Sequence, residues 1–168
     1  MVRLASIEHK GQVKLAAQVL DGEECFYCDL SGVAKDARSF LQTGKEAIDK
    51  AKALVSSVES GGSATTAKIS SQECKLLAPI DGSLVGKFLC VGMNYEDHCT
   101  EQGIPIPKEP LIFSKFGSSI VGTGDPIVRD AKVTSKLDYE VEVNIFVGYL
   151  PYSYAQSYDE CTYLFLRY

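Results

Sequence analysis

The chain has 168 residues, of which 45% are hydrophobic and 23% are charged, and its formal net charge is -5 at pH 7. This composition is ordinary for a globular protein and argues against a disordered or fibrous chain. Lysine and arginine form no cluster, so the sequence offers no footprint for nucleic acid or for an anionic membrane surface, and small molecules or other subunits are the expected partners.

The six cysteines are scattered without the spacing of a disulfide scaffold. Such usage is typical of a reducing compartment. The N-terminus lacks a signal-peptide core, and no run approaches the ~18 apolar residues of a membrane helix. We therefore predict no membrane insertion and a cytoplasmic or mitochondrial location, with no targeting segment visible in this sequence.

Residues 2–32 alternate apolar and polar side chains, and the alternation is broken by glycine-containing pairs at 10–11 and 21–22. This pattern predicts strands joined by two hairpin turns. Cys25 and Cys28 follow the second turn at a spacing that also occurs in redox and metal sites. A dithiol site needs a helix N-terminus and a metal site needs a second ligand pair, so we interpret both as strand cysteines.

From Asp36 onward the apolar residues recur at intervals of three and four, which predicts one or two amphipathic helices interrupted at Gly44. Residues 56–66 are rich in serine, glycine and threonine, a composition typical of a flexible linker. We place the domain boundary in this linker, so that residues 1–66 form an N-terminal β-hairpin and helix region.

An apolar strand predicted at residues 87–91 leads into a short acidic helix, with Asn94 as its predicted N-cap and Gly103 as its stop. His98 and Glu101 lie three residues apart in this helix. On one helix face, a carboxylate can orient an imidazole and raise its basicity, as a water-activating base requires. Spacing alone favours a solvated surface pair, so both interpretations stay open.

Residues 103–110 contain three of the six prolines and cannot form a regular element. The following apolar segment at 111–116 predicts a strand with Lys115 near its end. By position alone, a lysine at a strand end is usually solvated.

Residues 137–147 alternate cleanly, with Glu140 and Glu142 on the polar face of a predicted strand. The two carboxylates then project side by side, about 7 Å apart at the backbone. Carboxylates this close repel each other unless they are solvated or bridged by a cation. Spacing alone favours a solvent-facing edge, and an oxygen site for Mg²⁺, Mn²⁺ or Ca²⁺ is the alternative.

Together, these segments resemble the fumarylacetoacetate hydrolase family, most closely its fumarylacetoacetate hydrolase domain-containing members. The matching words are Leu-Ala-Pro-Ile at 77–80, Gly-Lys-Phe-Leu-Cys-Val-Gly-Met-Asn-Tyr at 86–95 with His98 and Glu101 after it, Pro-Leu-Ile-Phe-Ser-Lys-Phe at 110–116, and Leu-Asp-Tyr-Glu-Val-Glu at 137–142. Their order and spacing are specific, and with a weaker N-terminal match the resemblance covers nearly everything before Gly148.

The resemblance implies an α+β fold that is mainly β. A small N-terminal β unit would precede a fumarylacetoacetase C-terminal-like β-sandwich roll, which is incomplete in this chain. Residues 67–148 would form the partial catalytic domain. Residues 149–168 hold six of the nine tyrosines and match nothing in the family, which predicts a truncated or divergent tail.

The resemblance also implies a role for each candidate residue. His98 and Glu101 would form the catalytic base, and Lys115 would bind a substrate carboxylate or enolate oxygen. Glu140 and Glu142 would supply two ligands to Mg²⁺, or to Mn²⁺ or Ca²⁺. An aspartate ligand and further substrate-binding side chains are expected in a longer C-terminal segment and are absent here.

The implied activity is that of a divalent-metal-dependent hydrolase or keto–enol tautomerase, acting on small β-diketo or oxo-carboxylates such as acylpyruvates or oxaloacetate. We expect the missing C-terminal segment to impair it, and a full-length member to be a homodimer. Two alternatives stay open: a non-catalytic fragment that interacts with the full-length subunit, and a thiol-redox protein that uses Cys25 and Cys28.

Overall fold

The computed structural model describes residues 2–61, 68–147 and 163–166, which contain nine strands and three α-helices. The chain is mainly β with few helices, so the predicted α+β class is confirmed. It divides into two compact units, Met1–Ile80 with Gly122–Tyr168, and Asp81–Val121. We refer to them as the first and second units. No helix among the described residues is long and apolar enough to cross a membrane.

The first unit is built on an antiparallel sheet with the strand order β4-β3-β2-β1-β5. Its strands are β1 (Arg3–His9), β2 (Gln12–Asp21), β3 (Glu24–Asp29), β4 (Lys68–Ser70) and β5 (Cys74–Leu76). The first two hairpins turn at the predicted positions. Lys10 and Gly11 have φ angles of +52° and +74°, and Gly22 has +61°, as tight two-residue hairpin turns require.

The edges of this sheet are joined by a very short connection. Only a 3-10 turn at Ser71–Glu73 separates β4 from β5, although these strands lie at opposite edges. Five flat strands would place the edges about 19 Å apart, whereas this connection spans at most about 14 Å. The sheet must therefore curl, which gives it an inner and an outer face.

The outer face packs against two helices, α1 (Ala37–Thr43) and α2 (Lys45–Glu59). Asp36 caps α1: its Oδ1 accepts a hydrogen bond from the Ser39 amide at 2.7 Å, and the Ser39 hydroxyl accepts one from the Asp36 amide. Gly44, with a φ of +63°, separates the helices as predicted. The buried strand residues of this face are Leu15, Ala17, Val19, Phe26 and Cys28.

The inner face has a separate core. Its buried residues are Ala5, Ile7, Ala16, Tyr27 and Ile69, with Cys25, Cys74 and Leu76 packed against them. Since β4 and β5 contribute to this core, the compact unit continues to Ile80, past the predicted boundary at residue 66. The division into domains at 1–66, 67–148 and 149–168 stays a prediction.

The predicted linker at 56–66 begins too early. Helix α2 continues to Glu59 because Val58, 5% exposed, packs in the core and fixes the last turn. A polar composition does not reveal one buried anchor. Residues 62–67 lie outside the described part of the chain.

The second unit contains a two-stranded antiparallel sheet of β6 (Phe88–Gly92) and β7 (Leu111–Lys115), with helix α3 (Glu96–Glu101) between them. All three elements were predicted. The two 3-10 turns at Gly82–Leu84 and Gly117–Ser119 meet through their glycines. A Cβ on Gly82 would lie 2.1 Å from the Gly117 carbonyl oxygen, so the backbones approach as closely as glycine allows.

The predicted strand at 137–147 is mostly wrong. Only β8 (Asn144–Val147) is a strand, and it pairs with β9 (Tyr163–Leu166). A strand needs a hydrogen-bonded neighbour, and this four-residue ladder provides none for residues 137–143. Most of the predicted tail at 149–168 lies outside the described residues.

Candidate active site

The helix that bears His98 begins one residue later than predicted. Its N-cap is Tyr95 rather than Asn94, and it ends near Gly103, which has a φ of +64°. Cys99 anchors the helix because its side chain is buried, at 1% exposure, with Sγ 3.7 Å from the Met93 carbonyl oxygen. His98, the next residue towards the N-terminus, is half-buried, and Glu101 is exposed.

The imidazole of His98 contacts Gln102 in the structure. Its Nε2 lies 3.0 Å from Gln102 Nε2, one helical turn further on. An amide NH₂ group can only donate, so the contact matches an imidazole whose Nε2 is unprotonated and whose proton is on Nδ1. The pairing of His98 with Glu101 stays a prediction. Sequence reasoning missed Gln102, although its spacing of four from His98 is a signal that could have found it.

Lys115 lies at the end of β7, opposite Phe88. It lines a small cleft of about 260 Å³, together with Lys87 and Ser114. His98 and Glu101 are not among the lining residues. The cleft therefore has two lysines in its wall, of which the sequence analysis identified one; Lys87 was missed because it was counted only as the first residue of a strand.

Glu140 and Glu142 do not lie on a strand, which corrects the prediction. Both precede β8, with Glu140 exposed and Glu142 half-buried. The apolar side chains that alternate with them were predicted to share the opposite face of the strand, and Tyr139 and Val141 are 83% and 71% exposed. Apolar and acidic residues do alternate in this sequence, but no described residue packs on the apolar side chains well enough to bury them.

The donor atoms at these two positions are carboxylate oxygens, the kind that hard divalent cations prefer. Carboxylate oxygens at positions i and i+2 suit Mg²⁺, Mn²⁺ or Ca²⁺, and Mg²⁺ often keeps several waters with only one or two carboxylates. No group of three or more His, Cys, Asp or Glu able to hold a metal occurs in the described residues. The residues thus fit a cation that stays largely hydrated, not a closed protein cage.

The candidate residues fall into two groups. His98, Glu101 and Lys115 belong to the second unit, and Glu140 and Glu142 belong to the first. Within the second unit, the helix residues and the strand lysine occupy separate elements. The structure gives the setting of each residue, and the roles assigned to them stay predictions.

Cys25 and Cys28 both lie on β3, as predicted for strand cysteines. Residues three apart on a strand project from opposite faces, so the two thiols cannot face each other. Burial raises the pKa of Cys28 to about 11, with the charges of Asp29 and Glu59 adding to the effect. A thiol held protonated in this way is a poor nucleophile, which argues against redox chemistry by this pair.

The similarity to known proteins includes the part of the chain that contains His98, Lys115, Glu140 and Glu142. The family model described as fumarylacetoacetate (FAA) hydrolase C-terminal matches residues 87–157. The mitochondrial oxaloacetate tautomerase fahd2 of Xenopus laevis is 42% identical over 111 residues, which is 66% of this chain and 32% of that protein. The mitochondrial oxaloacetate tautomerase FAHD2A of Homo sapiens is 50% identical over 76 residues, 45% of this chain and 23% of that protein.

A third relative is not named as a tautomerase. The fumarylacetoacetate hydrolase domain-containing protein 2 homolog of Dictyostelium discoideum is 34% identical over 116 residues, which is 69% of this chain and 35% of that protein. The chain thus spans about a third or less of the length of the relatives it matches.

Proposed function

Because this chain belongs to the fumarylacetoacetate hydrolase family, we propose that it provides part of an active site for the keto–enol tautomerisation of oxaloacetate or of a closely similar oxo-carboxylate. One observation supports this most directly: the family match begins at residue 87 and includes His98, Lys115, Glu140 and Glu142. Relatives named as oxaloacetate tautomerases favour that substrate over other β-dicarbonyl acids.

Tautomerisation moves one proton from the carbon next to the ketone to the ketone oxygen. We assign the removal of this proton to His98, because a neutral imidazole with a free lone pair is the base that operates near pH 7. The Gln102 amide at 3.0 Å supports this state by favouring an unprotonated Nε2. Substrate would displace that amide. Glu101 would then stabilise the imidazolium that forms.

Lys115 is proposed to bind substrate rather than to transfer a proton. An oxo-dicarboxylate has two negative charges, and the cleft beside β7 has Lys87 and Lys115 in its wall. We propose that Lys115 binds one substrate carboxylate or the enolate oxygen, and its loss should weaken substrate binding more than it slows the chemical step.

Glu140 and Glu142 would hold the divalent cation, with Mg²⁺ as the first choice and Mn²⁺ or Ca²⁺ as alternatives. When bound, such a cation acts as a Lewis acid that polarises a carbonyl oxygen. The half-buried position of Glu142 and the exposed position of Glu140 leave room for water ligands. We therefore expect weak binding by these two side chains alone.

Three further parts of the proposal rest on the family. The matched residues would form part of the β-sandwich roll, within a homodimer. The location would be mitochondrial, by analogy with the relatives that are named as mitochondrial proteins. Hydrolysis of an acylpyruvate is the second candidate reaction, in which His98 and Glu101 would activate water instead of removing a substrate proton.

A non-catalytic role also has an observation in its favour. On β6 and β7, the side chains of Leu89, Ile112 and Phe113 are 67%, 59% and 46% exposed. Exposed apolar groups of this kind mark interaction surfaces in folded proteins. As the second candidate function, we propose that this chain associates with a full-length subunit of the family without catalysing a reaction itself.

The main test is turnover of oxaloacetate by the chain with Mg²⁺, measured by the loss of enol absorbance above the spontaneous rate. His98→Ala should lower kcat/KM by about 100-fold or more, because it removes the proton acceptor. The matched control is His9→Ala, since His9 is the other of the two histidines and lies on β1. Equal losses in both variants, or no turnover above background, would contradict the catalytic proposal.

Metal binding has its own test. Calorimetric titration with Mg²⁺ or Mn²⁺ should give an affinity no tighter than the high micromolar range, since two carboxylates leave most of the octahedral shell to water. Glu140→Gln should abolish it, and Glu109→Gln, a change at an exposed position in the second unit, should not. Tight binding that survives Glu140→Gln would place the ligands elsewhere.

A further inference from the structure

Two cysteines on the inner face of the curled sheet have no role in the proposed reaction. Cys25 is on β3 and Cys74 is on β5, and both pack against the core that contains Tyr27. Both are free thiols and half-buried, so a small reagent can reach them. Cys28 differs from both in accessibility and in position, since it is fully buried and lies on the outer face.

The hydrogen bonds of Cys74 place its thiol beside the strand that contains Cys25. Cys74 Sγ lies 3.4 Å from the Ser70 carbonyl oxygen and 3.8 Å from that of Ser71. Ser70 stands directly opposite Phe26 in the β3–β4 ladder, and strands in a ladder are about 5 Å apart. Cys25 is the residue before Phe26. The Cys74 thiol therefore lies over the strand edge next to Cys25.

The neighbours of the two sulfur atoms support this placement. Gln18 Nε2 donates to Cys25 Sγ at 3.4 Å. Burial raises the pKa of Tyr27, and charge on either Cys25 or Cys74 raises it further, so both thiols are near the same phenol. A shared metal ion is a poor match, since the described residues contain no group of three metal-binding side chains. The charge of Cys25 also raises the pKa of Cys74, after burial, so the two thiols are neighbours.

We propose that Cys25 and Cys74 form a redox-active thiol pair that closes to an intramolecular disulfide. The oxidant would be a small-molecule disulfide. One cysteine thiolate attacks it, which forms a mixed disulfide and releases one small thiol. The second cysteine then displaces the other small thiol. Two protein thiols are oxidised, and one small disulfide is reduced to two thiols.

The disulfide would join strands that are not neighbours in the sheet. Between β3 and β5 lie β2 and β1 in the strand order, and the closed loop of chain contains both α1 and α2. A cross-link over a loop of this length restricts the unfolded chain strongly. Oxidation should therefore raise the melting temperature of the first unit. Burial raises the pKa of Cys74, so the reaction should be faster at pH 9 than at pH 7.

The test is exposure of the whole chain to oxidised glutathione, followed by thiol counting and non-reducing peptide mapping. We expect two of the six thiols to be lost, one cross-linked peptide pair joining Cys25 to Cys74, and reversal by a reducing agent. Cys25→Ser and Cys74→Ser should each abolish the cross-link, and the rise in melting temperature with it. Cys28→Ser and Cys90→Ser should leave it intact.

Three results would overturn the proposal. The first is stable glutathione on Cys25 or Cys74 in the wild-type chain without a cross-link. The second is a disulfide that joins either cysteine to a different partner. The third is a wild-type chain that keeps all of its thiols. Because these results are read from the wild-type chain, they stand even if a serine variant fails to fold.

Discussion

Apolar side chains are mostly buried in the chain up to Ile80 and mostly exposed in the residues that follow it. Among the described residues, nineteen of the twenty buried hydrophobic residues lie at or before Ile80, and Cys99 is the one beyond it. Of the twenty large hydrophobic residues that are exposed, only Val13 and Leu20 lie before residue 81. The family match begins at residue 87, so the candidate site lies in the part with little cover.

This difference shows that predicting a strand from sequence and predicting what packs on that strand are separate problems. Alternating apolar residues predicted the strands at 2–32 correctly, but the same pattern at 137–143 is not a strand. They do not identify what packs on the strand. In the first unit, helices cover one face and the curl covers the other. On β6 and β7, apolar side chains such as Leu89 and Ile112 are exposed.

The largest expected effect contrasts one isoleucine from each region. Ile7 is fully buried in the inner core, and Ile112 on β7 is 59% exposed. Ile7→Ala should cost about 3–4 kcal/mol of unfolding free energy because it leaves a cavity, while Ile112→Ala should cost about 0.5 kcal/mol or less. Chemical denaturation measures both. A loss at Ile112 as large as that at Ile7 would show that this face is covered in solution.

A second contrast lies within the second unit. Gly117→Ala would bring a Cβ to 2.3 Å from the Gly82 carbonyl oxygen, which forces the two 3-10 turns apart. We expect a loss of about 2 kcal/mol in that unit, measured by hydrogen exchange of the β6 and β7 amides. The control is Gly86→Ala, where a Cβ meets open space. Similar protection in both variants would mean that the glycine contact does not hold the unit together.

The smallest effect is a pH dependence of the first unit. Burial raises the pKa of Asp29, but hydrogen bonds from Lys14 and Ser31 outweigh it and lower the pKa below its ordinary value. A carboxylate with a lowered folded pKa stabilises the fold above its unfolded pKa, near 4, and this stabilisation is lost as pH falls through the folded value. We expect a contribution of about 1 kcal/mol at neutral pH.

Asp29→Asn should reduce the drop in melting temperature between pH 6 and pH 3. Asp49→Asn is the control, because the ion pair of Asp49 with Lys45 is exposed on α2 and is screened by solvent. If both variants lose stability with the same pH profile as the wild type, then the Asp29 hydrogen bonds contribute nothing to the acid sensitivity.

The predictions that succeeded rest on local chemistry. Gly11 and Gly22 mark turns because hairpins need positive φ angles, and Gly44, also at positive φ, interrupts the helical pattern between α1 and α2. Such requirements involve a few consecutive residues. They can be recognised in one sequence without knowledge of the rest of the fold.

The predictions that failed depend on distant partners. Residues 137–143 have the alternation of a strand but no ladder. The contact of His98 with Gln102 follows from helix spacing, so it was accessible and was missed. The closeness of Cys25 and Cys74 depends on the curl of the sheet, which no local pattern encodes.

The short connection between β4 and β5 has a consequence for synthesis on the ribosome. β1 pairs with β5 through contacts such as His9 with Cys74, so the first strand stays without this neighbour until the fifth has left the exit tunnel. The hairpins of β1 to β3 can form much earlier. We expect nascent chains stalled before Cys74 emerges to be cut readily by protease, and chains stalled well beyond Leu76 to resist. Equal resistance at both lengths would show that closure of the sheet is not the step that completes folding.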